Sequence, residues 1–158
     1  MRRRAEVSAG LLAFRRVSEL EVLLAHPGGP FWAKKEDGEW TIPKGLAEPG
    51  AELLDTARRE FAEETNLVVL GDFIALTPVH QRNRKVVHVW AFEADFDLTP
   101  FSSNTFEIEW PPRSGRRQRF PEIDRVAYFT LPVAMTKILA YQQPLLRELE
   151  RHLGSSRA

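Results

Sequence analysis

An arginine and three glutamates within positions 59–64 are the residues whose types and spacing could do chemistry. The carboxylates are those of Glu60, Glu63 and Glu64. If the segment is helical, the turn of about 100° between successive residues places them within about 100° of one another on the helix surface. Like charges this close repel by a few tenths of a kcal/mol for each pair one turn apart. A hard cation such as Mg²⁺, which prefers oxygen ligands, would convert that repulsion into binding.

The segment that carries these charges also has an apolar side, which predicts an amphipathic helix over 52–65. Asn66 follows its last turn, where asparagine is the next choice after glycine for the left-handed cap conformation. An acidic run on a helix is most often a solvated surface, but the arginine and the fixed spacing favour a metal site here. The apolar side consists of Leu53, Leu54, Ala57 and Phe61.

The rest of the chain has the pattern of strands first and helices last. Hydrophobic periodicity and turn residues predict strands at 7–14, 20–25, 40–42, 73–80, 86–93, 106–110 and 126–129. Further helices are predicted at 132–140 and 144–153. The segments 95–105 and 111–121 are predicted to be loops. This order suggests an α/β (α+β) fold with a mixed sheet and helices on both of its faces.

The composition is that of an ordinary globular chain of one domain. Its 158 residues are 43% hydrophobic and 28% charged, and Lys+Arg equals Asp+Glu at 22 each. The balance gives no overall electrostatic preference for nucleic acid or for acidic membranes. The lack of cysteine excludes disulfides and thiolate metal sites. No apolar run is long enough for a membrane span or follows Met1–Arg4 as in a secretory signal, so we expect a cytoplasmic protein with a basic, frayed start.

The acidic helix and the glycine before it carry a resemblance to a known family. From Gly45 to Leu67 the chain resembles the Nudix hydrolase signature G-x5-E-x7-R-E-U-x-E-E-x-G-U, where U is a bulky apolar residue. Ala51 stands where the family has its first glutamate, and Asn66 where it has glycine. Segments 27–32, 42–45 and 109–112 are also similar to those of a bacterial subgroup of predicted nucleotide pyrophosphohydrolases. The matching positions are Gly45, Arg59, Glu60, Phe61, Glu63, Glu64 and Leu67.

The resemblance implies an α/β/α sandwich, formed as a single domain by residues 1–158 with its core at 5–153 and short tails. It also implies Mg²⁺-dependent hydrolysis of a diphosphate linkage, with Mn²⁺ as a substitute cofactor. Glu60 and Glu64 correspond to metal ligands, and Glu63 to a third ligand or to the base that deprotonates water. Arg59 lies four residues before Glu63 and can pair with it. The carbonyl of Gly45 corresponds to a further ligand.

The alanine at position 51 removes a glutamate that supports the metal site in the family. Glu48 and Glu52 are close enough in sequence to replace it. The family commonly uses one more carboxylate from elsewhere in the chain. Glu107 and Glu109, which share a predicted strand face, are the better pair to test, and Glu122 in a late loop is the other candidate.

Contacts to the substrate are less specific, because exposed cations and aromatic residues are common. Aromatic side chains with cationic neighbours can stack on a base or bind phosphate. His26, His80 and His88 are predicted in core or edge positions rather than as metal ligands, and Trp90 and Trp110 in the core. The candidate substrate contacts are Trp32, Lys34, Lys35, Lys44, Arg82, Arg84, Lys85 and Arg117.

Two functions remain open from the sequence. The first is hydrolysis of a small-molecule nucleotide such as a dinucleoside polyphosphate, a nucleoside triphosphate or a nucleotide sugar. Segment 40–45 weakly favours a diadenosine-polyphosphate or capped-RNA type of substrate. The alternative is a non-catalytic nucleotide-binding Nudix domain that acts as a sensor or partner module, which Ala51 motivates and the retained carboxylates oppose. The sequence specifies neither the leaving group nor the oligomeric state.

Overall fold

The computed structural model describes residues 6–154, so the predicted basic start at Met1–Arg4 and the last part of the predicted tail lie outside the described residues. The helices are α1 (Leu53–Thr65), α2 (Leu131–Lys137) and α3 (Gln143–Gly154), with a 3₁₀ turn at Ala140–Gln142. The strands are β1 (Val7–Arg16), β2 (Leu20–Pro27), β3 (Lys44–Leu46), β4 (Ile74–Ala75), β5 (Val79–Gln81), β6 (Lys85–Glu93), β7 (Thr105–Glu109), β8 (Arg117–Pro121) and β9 (Ile123–Thr130).

The main sheet is mixed, and its central strand is β1. The strand order is β4-β6-β1-β2-β9, with β3 paired to β1 and β5 paired to β6. β1 runs parallel to β6 and antiparallel to β2 and β3. Its first half pairs with β3 through Ala9 and Gly45, and its end pairs with β2 through Phe14 and Val22. The short strand that precedes α1 is therefore fixed against the centre of the sheet.

Both faces of the sheet are covered, which explains why β1 is apolar at consecutive positions rather than alternately. Leu11 is fully buried on the face that packs against α1, together with Phe61 and Phe92. Leu12 is fully buried on the opposite face, in a cluster that includes Leu145 of α3. Each such side chain contributes about 1.5–3 kcal/mol of burial free energy. The predicted α/β/α sandwich with a mixed central sheet is confirmed.

Helix α1 has a defined start and a defined end. The side chain of Glu52 accepts a hydrogen bond from the backbone N–H of Asp55 at 2.9 Å and caps the first turn. Asn66 has φ 61° in the left-handed region, as its position after the last turn predicts, and its backbone N–H donates to the carbonyl of Ala62. Its side-chain amide donates to the carbonyl of Pro100 at 3.0 Å. The end of α1 is thereby tied to the loop before β7.

Four of the predicted boundaries are wrong. The predicted strand 73–80 is broken into β4 and β5, because Pro78 lacks a backbone N–H and that of Thr77 donates to Glu148 of α3 instead. The predicted strand 40–42 makes only isolated bridges, and the strand of this region is β3. Residues 117–121 of the predicted loop 111–121 pair with β7 as β8.

The fourth boundary concerns the helix predicted at 132–140, which runs from Leu131 to Lys137. Ile138 has an extended backbone with ψ 150° and forms a bridge with Trp40, so the helix cannot continue through it. No helix among residues 6–154 is long and apolar enough to cross a membrane.

Replacement of Asn66 tests the cap of α1. Asn66→Ala should lower the free energy of unfolding by about 1–2 kcal/mol, because alanine tolerates the left-handed conformation poorly and loses the bond to Pro100. Asn66→Gly should cost less, because glycine adopts this conformation freely and loses only the side-chain bond. Urea unfolding of both variants measures the difference. Equal losses in the two variants would show that the left-handed backbone carries no cost here.

Candidate active site

The connection from β3 to α1 brings Gly45 against the carboxylate of Glu60. A Cβ built on Gly45 would lie 2.1 Å from the carboxyl carbon of Glu60, so no other residue type fits here without displacing that side chain. Gly45 is held by its pairing with Ala9 in β1. Glu60 is held by the helix, whose apolar side is buried at Phe61. The approach of glycine to glutamate is therefore built into the packing of α1 on the sheet.

Glu64 is the buried carboxylate of the cluster, with 9% of the residue exposed. It accepts a hydrogen bond from the backbone N–H of Lys44, and its Oε2 atom has no hydrogen-bond partner within the described residues. Burial is the main cause that raises the pKa of Glu64, to about 8, and the negative charges of Glu60 and Glu122 raise it further. A carboxylate in this position costs free energy unless a positive charge comes close to it.

Glu60 lies next to Glu64 on the helix surface and is also partly withdrawn from water. Burial is again the first cause that raises its pKa, and the charges of Glu63 and Glu122 act in the same direction. Arg59 opposes this shift through a hydrogen bond from Nη2 to Oε1 of Glu60 at 3.3 Å. The side chains of Glu60 and Arg59 are 20% and 52% exposed, so the guanidinium covers the outer edge of the cluster.

Arg59 and Glu63 are paired as predicted, but less closely than Arg59 and Glu60. Nε of Arg59 lies 3.8 Å from Oε1 of Glu63, a separation beyond a hydrogen bond. The side chain of Glu63 is 44% exposed, and its backbone carbonyl accepts from the N–H of Asn104. Glu63 therefore stands at the solvent side of the cluster, with its carboxylate accessible.

Lys44 faces the cluster from the strand side. Burial is the main cause that lowers the pKa of its ammonium, while the charge of Glu64 raises it and the charge of Lys85 lowers it. Lys44 thus lies within electrostatic reach of both Glu64 and Lys85. Lys44 therefore places positive charge beside Glu64, where a phosphate bound at the cluster would meet it, while Lys85 also pairs with Glu6 at 3.8 Å.

The additional carboxylate near the helix is Glu122 rather than Glu107 or Glu109. Glu122 raises the pKa of both glutamates at 60 and 64, so its charge reaches them. Glu107 and Glu109 are exposed on the separate β7–β8 hairpin and stand opposite Arg119 and Arg117. The choice of the 107 and 109 pair as the better candidates is therefore not supported by their placement, which matches cross-strand charge pairs.

Glu52 does not replace the family glutamate that is missing at position 51. Its carboxylate caps the first turn of α1 by accepting from the N–H of Asp55. Ala51 itself is exposed, and its N–H donates to the carbonyl of Glu48 in the turn before the helix. Glu48 is exposed as well. The support of Arg59 comes instead from Glu60 and Glu63.

Two features of the cluster fit a divalent cation. Oε2 of Glu64 is buried without a hydrogen-bond partner among the described residues, and the lack of a Cβ on Gly45 lets the Glu60 carboxylate lie directly against the backbone of β3. Across residues 6–154, no three His, Asp or Glu side chains already converge on one point as a complete ligand set. Repulsion between carboxylates opposes such convergence. The residues fit a cation held by two carboxylates, a backbone carbonyl and water.

The predicted substrate contacts fall into separate groups. Trp32, Lys34 and Lys35 lie on the exposed loop that follows β2, and Nζ of Lys35 is 5.1 Å from the ring centroid of Trp32. Arg82 is exposed in the turn that leads into β6. Arg117 stands on β8 opposite Glu109. Of these candidates, the structure shows Lys44 within electrostatic reach of the carboxylates, whereas the loop cations, Arg82 and Arg117 lie exposed on other elements.

The histidines and tryptophans differ in their burial. His26 is fully buried, as predicted, whereas His80 is exposed in β5 and His88 is half-buried in β6. Trp90 packs partly buried against the cluster under α1. Trp110, predicted in the core, lies half-buried on the hairpin against Phe31, with ring centroids 5.2 Å apart. Phe31 belongs to the loop after β2, and no local pattern in the sequence indicates its contact with Trp110.

Beside the β3–α1 connection there is an open groove of about 620 Å³. This volume falls within the usual range of small-molecule sites. Its wall is formed by Glu6, Val7, Leu46, Ala47, Glu48, Pro49, Gly50, Ala51, Leu53 and His88.

Two comparisons with solved structures place this architecture among known folds. An Ap4A hydrolase from C. elegans, solved as a binary complex, is 20% identical with a TM-score of 0.63, covering 94% of this chain and 98% of that one. The NUDIX domain of Shewanella oneidensis NrtR, solved with ADP ribose, is 17% identical with a TM-score of 0.65, covering 96% and 90%. These likenesses establish the shared fold.

A third structure, a mutT/nudix family protein from Listeria innocua, is 14% identical with a TM-score of 0.62, covering 98% of this chain and 97% of that one. The search of curated proteins finds no significant match. The family model described as the NUDIX domain matches residues 4–149, which is most of the sequence. The chain therefore belongs to the Nudix family of pyrophosphohydrolases, which act on phosphoanhydrides.

Proposed function

We propose that the protein is a Mg²⁺-dependent hydrolase that cleaves a diphosphate linkage in a nucleoside diphosphate derivative, with Mn²⁺ as a substitute. The observation that carries this proposal is the buried carboxylate of Glu64, which leaves Oε2 without a hydrogen-bond partner within the described residues, beside Glu60. A carboxylate in such surroundings is unfavourable in the free protein and favourable next to a cation. We expect a cytoplasmic location, which the lack of a membrane-spanning helix in residues 6–154 is consistent with.

Glu60 and Glu64 would hold the metal with the carbonyl of Gly45, since these groups meet where β3 joins α1. A bound divalent cation polarises the phosphoryl oxygens and lowers the pKa of a coordinated water. Arg59 holds the Glu60 carboxylate through its hydrogen bond and limits its rotation. Glu63 is exposed enough to take the proton of an attacking water or to complete the ligand set.

The cations around the cluster suit a substrate that carries several phosphates. Lys44 and Lys85 would contact the phosphates next to the cleaved linkage, because Lys44 lies within electrostatic reach of Glu64, and Lys85 lies within electrostatic reach of Lys44. Trp32, Lys34 and Arg82 are proposed as contacts to the more distant part of the nucleotide. The Ap4A and ADP ribose of the structural neighbours are nucleotides of this type. We therefore favour a dinucleoside polyphosphate or a related small-molecule nucleotide.

A second candidate, a non-catalytic nucleotide sensor, is favoured by one observation, the alanine at position 51. Glu52 is engaged as a helix cap and Glu48 is exposed, so neither restores the missing glutamate. Against this stands the buried Glu64 beside the half-buried Glu60, a pair of carboxylates that a binding module has no reason to retain. Product formation measured by chromatography over a nucleotide panel with Mg²⁺ or Mn²⁺, together with calorimetry, separates the two. Binding without turnover would favour the sensor.

Glu64→Gln should reduce kcat by at least about 100-fold while the fold is retained, because a neutral amide cannot compensate the charge of a cation. Chromatography of the two nucleotides formed from a dinucleoside polyphosphate with Mg²⁺ measures the loss, and circular dichroism checks the fold. Glu107→Gln is the matched control and should retain activity within about twofold, because Glu107 is exposed on the hairpin. Full activity of Glu64→Gln would contradict the proposed metal site.

Glu122→Gln should lower kcat by about 10- to 100-fold, since its charge acts directly on the cluster at α1. The same substitution at Glu109 removes a carboxylate of equal size from the hairpin, where it faces Arg117. Measuring kcat of the two variants at the same Mg²⁺ concentration tests which carboxylate belongs to the site. A larger loss of kcat in Glu109→Gln than in Glu122→Gln would favour the carboxylate on the hairpin instead.

The raised pKa of Glu64 makes the stability of the metal-free protein depend on pH. The folded state keeps the proton up to a pKa of about 8, whereas the unfolded chain releases it near 4.5. This contribution to stability is therefore complete below pH 4.5 and is lost as the pH rises toward 8. As the pH rises between these limits, the unfolding free energy of the metal-free wild type should fall by about 1–3 kcal/mol more than that of metal-free Glu64→Gln.

Urea unfolding in EDTA at the two ends of this pH window measures that difference. Adding Mg²⁺ at the alkaline end should raise the stability of the wild type and leave Glu64→Gln nearly unchanged, because only the carboxylate gains from the cation. The same pH dependence in both proteins would mean that Glu64 ionises freely in the folded state.

A further inference from the structure

His26, the last residue but one of β2, is completely buried and has a partner for each ring nitrogen. Nε2 lies 2.6 Å from the backbone carbonyl oxygen of Lys35. Nδ1 lies 2.7 Å from Oδ1 of Asp124. A carbonyl oxygen can only accept a hydrogen bond, so Nε2 must carry a proton.

The second nitrogen must also carry a proton if Asp124 is ionised. The side chain of Asp124 is 30% exposed, and Nε of Arg125 lies 3.7 Å from its Oδ1. An ionised carboxylate only accepts hydrogen bonds, so Nδ1 donates to it. With Asp124 as a carboxylate, the geometry points to hydrogen bonds donated by both ring nitrogens of His26.

The charges around His26 suit a ring that donates from both nitrogens. Oε2 of Glu36 lies 3.8 Å from Nε2 and adds a second negative charge. Arg125 and Lys137 pair with Glu36 from β9 and α2, and Lys137 also pairs with Asp37 at 3.2 Å. The ring of Trp40 packs edge-on against the imidazole at 5.2 Å between centroids. Two carboxylates thus face one buried imidazole ring, with cations on their outer side.

The substrate loop, which we define as residues 28–35, is held at both of its ends, and His26 holds one of them. At its far end the loop is held by the bond from His26 to the carbonyl of Lys35. At its near end the N–H of Gly28 donates to the carbonyl of Glu122 at 2.8 Å. A Cβ on Gly28 would lie 1.9 Å from the carbonyl oxygen of Pro121, so only glycine allows this contact. Both ends are therefore attached to the segment 121–124.

We propose that His26 is a positioning residue for nucleotide hydrolysis, because hydrogen bonds from both of its ring nitrogens fix the substrate loop that carries Trp32, Lys34 and Lys35. This inference rests on the proposed function, since the loop matters only if it contacts the nucleotide. Glu122 has its own anchor, a bond from its N–H to the carbonyl of Asn104 at 2.7 Å. Loss of His26 therefore loosens the loop more than the carboxylate, and its effect falls on substrate binding.

The protonation state of His26 is tested in the wild-type protein, without any assay of activity. In ¹⁵N-labelled protein at neutral pH, both ring nitrogens of His26 should give the chemical shifts of protonated N–H groups. His80, which is exposed in β5, serves as the reference in the same spectrum. A ring nitrogen of His26 with the shift of an unprotonated atom would overturn the proposal.

The positioning is tested by variants with a nucleotide whose hydrolysis the wild type supports. His26→Ala should raise KM about tenfold and lower kcat by less than about threefold, since the loop loses its anchor while the carboxylates of α1 stay in place. His80→Ala is the matched control and should leave both constants within about twofold. An unchanged KM in a folded His26→Ala protein would overturn the proposal.

Two changes at Asp124 keep the test decisive if His26→Ala does not fold. Asp124→Asn lets its amide N–H donate to Nδ1 of a neutral His26, so both hydrogen bonds persist and KM should stay within about threefold. Asp124→Ala removes one bond and should raise KM about tenfold. Equal KM values in these two variants would overturn the proposal. If the wild type hydrolyses no nucleotide, the proposed function fails, while the nitrogen shifts still decide the state of His26.

Discussion

The cost of keeping carboxylates out of water where β3 meets α1 is the constraint on which the rest of the site depends. Glu64 is buried, and the charges nearest to it include those of Glu60 and Glu122, which carry the same sign. Selection for stability alone would replace such a cluster by apolar residues. The helix keeps an arrangement that is unfavourable by itself and becomes favourable only when positive charge enters. This energetic character supports the proposed metal site over a structural ion pair.

The fold supplies the force that holds this arrangement together. Gly45 belongs to a strand of three residues, which pairs with the first half of β1, and Glu60 belongs to a helix that buries Phe61 on the same sheet. The apolar contacts of α1 and the backbone pairing of β3 are therefore what press a glycine against a carboxylate. Helix ends contribute as well, because Glu52 and Asn66 fix where α1 starts and stops. Each of these anchors is local, and together they determine the positions of the charged groups.

The sequence predicted whatever depends on local periodicity and missed what depends on contacts between distant segments. Helix α1, its left-handed cap at Asn66 and the long strands β1, β2 and β6 all have clear patterns. Strand β8 was missed because its charged residues show no alternation and it pairs with β7 alone within the described residues. Glu122 could not be preferred over Glu107, because only the folded chain brings it near α1. The partners of His26 lie as far as 98 residues away, at Asp124.

The hairpin of β7 and β8 is a part of the fold that can change while the main sheet stays intact. Within the described residues these strands form their own two-stranded sheet, and side chains attach it to the rest: Phe106 lies beside Gly29, and Trp110 packs on Phe31. Insertions or deletions at its tip would leave every backbone hydrogen bond of the main sheet intact. The hairpin can thus vary in length or sequence without disturbing the backbone pairing that positions the acidic helix.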